Sequence, residues 1–389
     1  MRAADERHRV TTFELFFDLV YVFAVTQVTA HMAHTHSGAG VVQGLLLLGL
    51  LWWTWCGYSW LGNHAHADEG LTRLAMAAAM AAIFVVGLTI PEAWEDAPGG
   101  LNGPVVLVCA YIFVRTLHLG VYAVAAAGDR GLLRQLLVTV APMLAGASLL
   151  LVGALLGGRA QTVLFAAGLA LDWGGTYVTS REGAWRIHSP VHWSERYGLF
   201  VILVIGESIV AIGAGASGLP ISTSLLAGAV LGIVVSLFLW WLYFDVVSRA
   251  AEHVFARLSG QARVTLAVEA YTYLHFPLVA GVVLTALGVE EVLAHVGETE
   301  QLGRFAALAL HGGLALYLLG HVAFKRRLHG TVSAPRLATA AVLALAAPLS
   351  AELPPLAALA LVVAVVGTLV ALETARYTLL REDLRQTHV

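Results

Sequence analysis

Apolar runs of about 20 residues, broken by Gly, Pro and polar clusters, recur along the whole 389-residue chain. A helix of that length crosses a hydrocarbon core about 30 Å thick. The pattern predicts twelve helices, over residues 13–32, 41–61, 72–91, 104–127, 132–156, 160–179, 197–215, 221–247, 263–288, 302–324, 336–351 and 355–377. The eleventh is short and stops at Glu352, ahead of Pro354 and Pro355. The predicted fold class is therefore an all-α polytopic membrane protein of about twelve transmembrane helices, with the lipid bilayer as its surroundings.

Composition supports this class, since 59% of residues are hydrophobic and 12% charged, against about 25% charged in an ordinary soluble domain. Basic residues concentrate in cytoplasmic loops. With the N-terminus inside, every one of the 22 basic residues except Arg115, Arg159 and Arg304 falls in an inside segment, and both termini are expected in the cytoplasm. The start does not read as a cleaved signal, because its first span carries acids and no small-residue cleavage site follows a short apolar core. Cys56 and Cys109 both sit in apolar segments and read as packing residues, not a disulfide.

Sliding the chain against itself by roughly 188 to 206 residues aligns its unusual residues in order. LLWWTW at 50–55 meets FLWWLY at 238–243, Asp18 meets Glu207, LHLG at 117–120 meets YLLG at 317–320, and APML at 141–144 meets APLS at 347–350. Tyr177, Arg181 and Glu182 meet Tyr377, Arg381 and Glu382. The expected organisation is two parallel six-helix repeats, 1–180 and 197–389, joined by a cytoplasmic linker at 181–196. Together they form one membrane domain. Six is even, so both halves would enter the membrane from the same side, as in one large class of transporters.

Ionisable residues inside spans cost about 2.5 to 3.5 kcal/mol at the bilayer centre and normally face a bundle interior or a pathway. Glu14 and Asp18, at i and i+4, share one face of the first helix, where two acids would share a proton or a cation. The plainer alternative puts Glu14 at headgroup level and lets Asp18 pair with an arginine. Glu207 lies near the middle of the seventh helix, after Gly206, a residue that permits close helix approach. His192, Glu195 and Arg196 form an H-x-x-E-R unit just before it. Arg115, with His118 one turn on, needs an acid, and Asp18, Glu207 or Asp172 qualifies. Asp172 and Asp245 near helix ends have snorkelling as an alternative role.

In the ninth helix Glu269 and His275 stand beside Tyr271 and Tyr273, and Pro277 is placed to kink the helix and free backbone carbonyls. His321 reads as interfacial. Two histidine clusters, His31, His34 and His36, and His64, His66, Asp68 and Glu69, lack the closed spacing of a structural zinc site. No metal and no cofactor is expected, and no nucleic-acid module is visible. The tryptophans of WWTWCGYSW are accounted for by membrane anchoring and packing.

Three stretches, TTFELFFDLVYVFAVTQ at 11–27, HWSERYGLFVILVIGESIVAIG at 192–213 and YLHFPLVAG at 273–281, resemble the bacterial low temperature requirement A family, and the likeness spans nearly the whole chain. The resemblance points to Glu14, Phe17, Asp18, His192, Glu195, Arg196, Gly206, Glu207 and His275 as the family's pattern. It implies a bacterial plasma membrane location and a cold-growth phenotype, and leaves the activity to the residues. The expected function is proton-coupled secondary transport of a small solute or cation, with Asp18, Glu207 and Glu14 as coupling acids. Arg115, His118, Asp172, His192, Glu195, Arg196, Glu269 and His275 are the expected pathway or ion-pair residues. A cation channel and an intramembrane enzyme acting on a lipid or isoprenoid are the alternatives, and an enzyme is the less expected.

Overall fold

A computed structural model describes residues 8–180, 183–297 and 300–376, and among them every regular element is helical. Arg2, Arg7, Arg181, Glu182, Tyr377, Arg381, Glu382 and Arg385, used above in the charge and repeat arguments, lie outside the described residues. The helices are α1 (Thr12–Thr35), α2 (Gly38–His64), α3 (Gly70–Thr89), α4 (Gly103–Ala125), α5 (Arg130–Leu156), α6 (Gly158–Ser180), α7 (Pro190–Gly215), α8 (Thr223–Phe244), α9 (Val247–Arg257), α10 (Gly260–Leu266), α11 (His275–Ala294), α12 (Arg304–His329), α13 (Ala334–Ala351) and α14 (Pro355–Arg376).

Eleven of the described helical segments are long and apolar enough to cross a membrane. Two are composite: Thr223–Arg257 runs through α8 and α9, and Gly260–Ala294 through α10, a π-helical stretch Ala267–Tyr273 and α11. The helix α6 has spanning length, but Asp172, Gly174, Gly175 and Thr176 dilute the hydropathy of its second half. The chain is a multi-pass helical membrane protein, and a lipid bilayer is its environment. Both cysteines are free thiols.

Three departures from the periodicity reading have a local reason. The helix α7 starts at Pro190, seven residues before the expected 197, because Ser189 caps it: its Oγ accepts the His192 N–H at 3.1 Å, with Pro190 in the first helical position where no N–H is needed. The short helix α9 was not predicted. Its polar Arg249, Glu252, His253 and Arg257 alternate with buried Ala251 and Phe255, an amphipathic pattern that a search for uniformly apolar runs passes over. In the ninth span Pro277 produces a wide π turn upstream of itself. A proline has no N–H to offer the preceding turn and its ring crowds the carbonyl there, and the chain accommodates it with a Leu274 N–H to Glu269 O bond of 3.1 Å.

The helices fall into two compact units, the described parts of residues 1–31, 39–196 and 259–268, and those of 32–38, 197–258 and 269–389. In the first, α4 packs between α3 and α5, and α5 runs along α6. In the second, α12 packs along α11 and α13, and α8 along α14. Lipid tails are as apolar as leucine, so helix pairs here depend on close packing, which small residues allow. Gly281 and Gly288 of α11 face α12 seven residues apart: a Cβ on Gly281 would lie 2.5 Å from the Tyr317 nitrogen, and one on Gly288 2.4 Å from the Leu310 nitrogen. Gly206 makes no such approach, since nothing lies within 4 Å of a Cβ built there.

Candidate functional site

Within the first unit the start of α1 meets the start of α7 in a cluster of fully buried charges. Thr11 and Glu14 form a capping box: Thr11 Oγ1 accepts the Glu14 N–H at 3.3 Å, and Glu14 Oε2 accepts the Thr11 N–H at 2.9 Å and its hydroxyl at 3.1 Å. The other oxygen, Oε1, accepts from His192 Nε2 at 2.9 Å. One turn along, Asp18 receives a two-pronged Arg196 guanidinium, Nη1 to Oδ2 at 2.6 Å and Nη2 to Oδ1 at 2.9 Å. The spacing of four puts Glu14 and Asp18 on one face of α1, as their positions predict, and the same spacing puts His192 and Arg196 on one face of α7. Glu14, Asp18, His192 and Arg196 are each 0% exposed, so all four side chains lie inside the protein. Arg196 also reaches back to Glu14, with Nη1 donating to its backbone oxygen at 3.3 Å and Nε 3.7 Å from Oε1.

The hydrogen bonds around Asn63 also orient the His192 ring. Asn63 Oδ1 accepts N–H groups from His188 at 2.8 Å and Ser189 at 3.3 Å, which turns its NH2 group toward Ser189 O at 2.6 Å and His192 Nδ1 at 3.2 Å. In this geometry Nδ1 accepts from Asn63 and Nε2 donates to Glu14. Glu14 stands in the first turn of α1, where the helix dipole favours a carboxylate. Gly62 makes room for the arrangement, since a Cβ there would lie 2.6 Å from Glu14 Oε1.

Tryptophans of α2 complete two matching constellations. Trp55 Nε1 donates to Asp18 Oδ1 at 2.9 Å while its ring lies 5.4 Å from the Arg196 guanidinium carbon. Trp53 Nε1 donates to Asp172 Oδ2 at 2.9 Å, and its ring lies 5.7 Å from that of Arg115. Arg115 Nη2 reaches both Asp172 oxygens, at 3.2 and 3.1 Å. Residues two apart on a helix point to nearly opposite sides, so α2 serves α1 and α7 with one indole and α4 and α6 with the other. Asp172 is thus the partner of Arg115 and does not snorkel. The sequence reading assigns most of these tryptophans to membrane anchoring and packing and does not foresee indoles that donate to buried carboxylates.

The remaining expected residues lie apart from these clusters. Glu195, beside two network residues in sequence, points outward to Arg9 at 3.7 Å and accepts the Val10 N–H at 3.2 Å. His118 is buried between the rings of Tyr58 and Tyr122, with centroids 5.4 and 5.7 Å away. Outside the spans, His188 meets His64 at 3.1 Å, and burial, followed by the Arg186 charge, holds its pKa below the ordinary histidine value. In the second unit Glu207 is buried in mid-α7, and Asp245 caps α8. Glu269 pairs with Arg327. His275 donates from Nδ1 to Ala270 O at 3.0 Å and accepts the Tyr243 hydroxyl on Nε2 at 2.9 Å. His321, expected at an interface, is buried against Tyr317 and Tyr243.

A metal reading fits poorly. Neither histidine-rich stretch forms a group of metal-ligand type among the described residues, and the one group that does, His8, Glu14 and His192, has donor atoms within 4.8 Å of one another. A metal on His192 Nε2 would move the ring proton to Nδ1, against the Asn63 NH2, whereas metal-bound histidines donate that proton to an acceptor.

Residues 9–371 match the sequence model described as Bacterial low temperature requirement A protein (LtrA). The chain is also 28% identical over 326 residues to "Uncharacterized protein RA0937" of Rhizobium meliloti (strain 1021), covering 80% of this chain and 76% of that protein. No solved structure matches it. A family match over residues 9–371, which takes in both buried charge clusters, places the chain in the bacterial low temperature requirement A (LtrA) family.

Proposed function

We propose that this LtrA protein is a proton-coupled secondary transporter of a small solute or cation in the bacterial plasma membrane. The observation that carries the reading is the polar stripe of α7. His192, Arg196 and Glu207 are spaced by four and eleven residues, which turns them through only about 60° in total, so one buried face holds all three over about 22 Å of helix. Charges are kept at membrane depth at a cost, and a continuous face of them suits a path better than a single packing contact does.

On this reading the three coupling acids have different tasks. Asp18, saturated by Arg196 and Trp55, and Glu14, saturated by Thr11 and His192, remain carboxylates and hold the entrance shut. Glu207 is the acid that gains and loses the coupling proton. Transport then has the two six-helix halves, 1–180 and 197–389, rock about the linker at 181–196, which carries Arg196, with the Asp18–Arg196 pair opening and re-forming as the linker moves and both termini in the cytoplasm. Arg115, His118 and Asp172 steady the first half, and Glu269 and His275 the second.

Infrared difference spectroscopy of the reconstituted protein between acid and neutral pH tests the assignment. A protonated-carboxyl band that rises at acid pH in wild type and disappears in Glu207→Gln supports it. A band unaltered by that substitution rejects Glu207 as the proton carrier.

A further inference from the structure

The second unit contains a cavity of about 370 Å³ where α12 ends, α13 begins and α14 ends, with α9 as its other wall. Val246, Val247 and Ala250 line one side of it, and Lys325, His329 and Ser333 the other. The one acid in the lining, Glu373, is already committed: its Oε1 accepts Arg336 Nε at 2.8 Å and its Oε2 accepts Arg336 Nη2 at 2.7 Å. Lys325 has no acidic partner among the described residues. The cavity thus combines an apolar wall, an uncompensated ammonium and a neighbouring imidazole and hydroxyl, at the level where several spans end together.

We propose that this cavity binds one anionic phospholipid, with the headgroup phosphate at Lys325, His329 and Ser333 and an acyl chain along Val246, Val247 and Ala250. Basic pockets between spans on the charged side of a membrane protein have the chemistry that holds such headgroups. The amphipathic α9, with Ala251 and Phe255 buried and Arg257 exposed on its other side, shapes the wall. The inference is independent of the transport reading, since no residue in it belongs to the α1–α7 network.

Native mass spectrometry of the full chain in detergent tests it, with phosphatidylglycerol, phosphatidylcholine of the same acyl chains, or glycerol 3-phosphate added. Phosphatidylglycerol should be retained in preference to the other two. Lys325→Gln should lower its retention about five-fold, the worth of one basic residue near a headgroup, and Ala250→Trp, which fills the apolar side, should lower it as well. Arg326→Gln removes one exposed charge outside the cavity and should change retention less than two-fold. Equal retention of phosphatidylcholine, equal retention of glycerol 3-phosphate, or the same effect from Lys325→Gln and Arg326→Gln would overturn the proposal.

Discussion

Asp18 accepts three hydrogen bonds, two from Arg196 and one from Trp55, with no solvent access to any of the three side chains. Removing one member of such a pair leaves the other charge buried and uncompensated, a loss of about 3 to 5 kcal/mol. Asp18→Asn should therefore lower the thermal midpoint of the purified protein by several degrees or prevent its accumulation. Glu195→Gln, which breaks a solvent-exposed contact with Arg9, should stay within about 1 kcal/mol of wild type. Comparable midpoints for the two variants would contradict the geometry. The acids themselves were legible in the sequence, because a carboxylate in an apolar run stands out. Their partners were not, because His192 and Arg196 lie 178 residues away in the chain from Glu14 and Asp18. The role of Trp53 and Trp55 was hidden too, since an indole that donates to a buried carboxylate and one that anchors in a headgroup layer look alike in sequence.

At the scale of elements, the long apolar helices were readable, the short amphipathic α9 was not, and helix chemistry was less legible than helix existence. Length and apolarity marked every span, including α6, and Ser189-Pro190 carried a cap signal that would have placed the start of α7 correctly. The wide turn at Ala267–Tyr273 could be expected only as a disturbance around Pro277, because sequence does not tell whether a proline bends a helix or widens it. The α11–α12 contact was missed altogether: glycines seven residues apart are informative only when the opposing helix is known. A side chain at Gly288 would drive into the Leu310 backbone at 2.4 Å, and backbone cannot swing aside as a flexible side chain can. Gly288→Val should therefore abolish a monodisperse peak in detergent gel filtration, while Gly206→Val, at an open position, should leave one. A monodisperse Gly288→Val protein with wild-type melting would show that the two helices do not depend on this approach.

For the whole molecule, family membership and a multi-pass helical fold fix where the protein works, and the α1–α7 charge cluster with Glu207 further along the same face suggests what it does there. Both rest on a physical constraint that composition alone expresses, namely that hydrocarbon excludes charge unless something is gained by keeping it. The most direct test is proton movement in liposomes loaded with a pH-sensitive dye under an imposed proton gradient, comparing wild type with Glu207→Gln and with the more conservative Glu207→Asp, each checked for folding and insertion. The account predicts dye acidification by wild type, retained at least in part by Glu207→Asp and lost in Glu207→Gln. Wild-type acidification that persists undiminished in Glu207→Gln would contradict it.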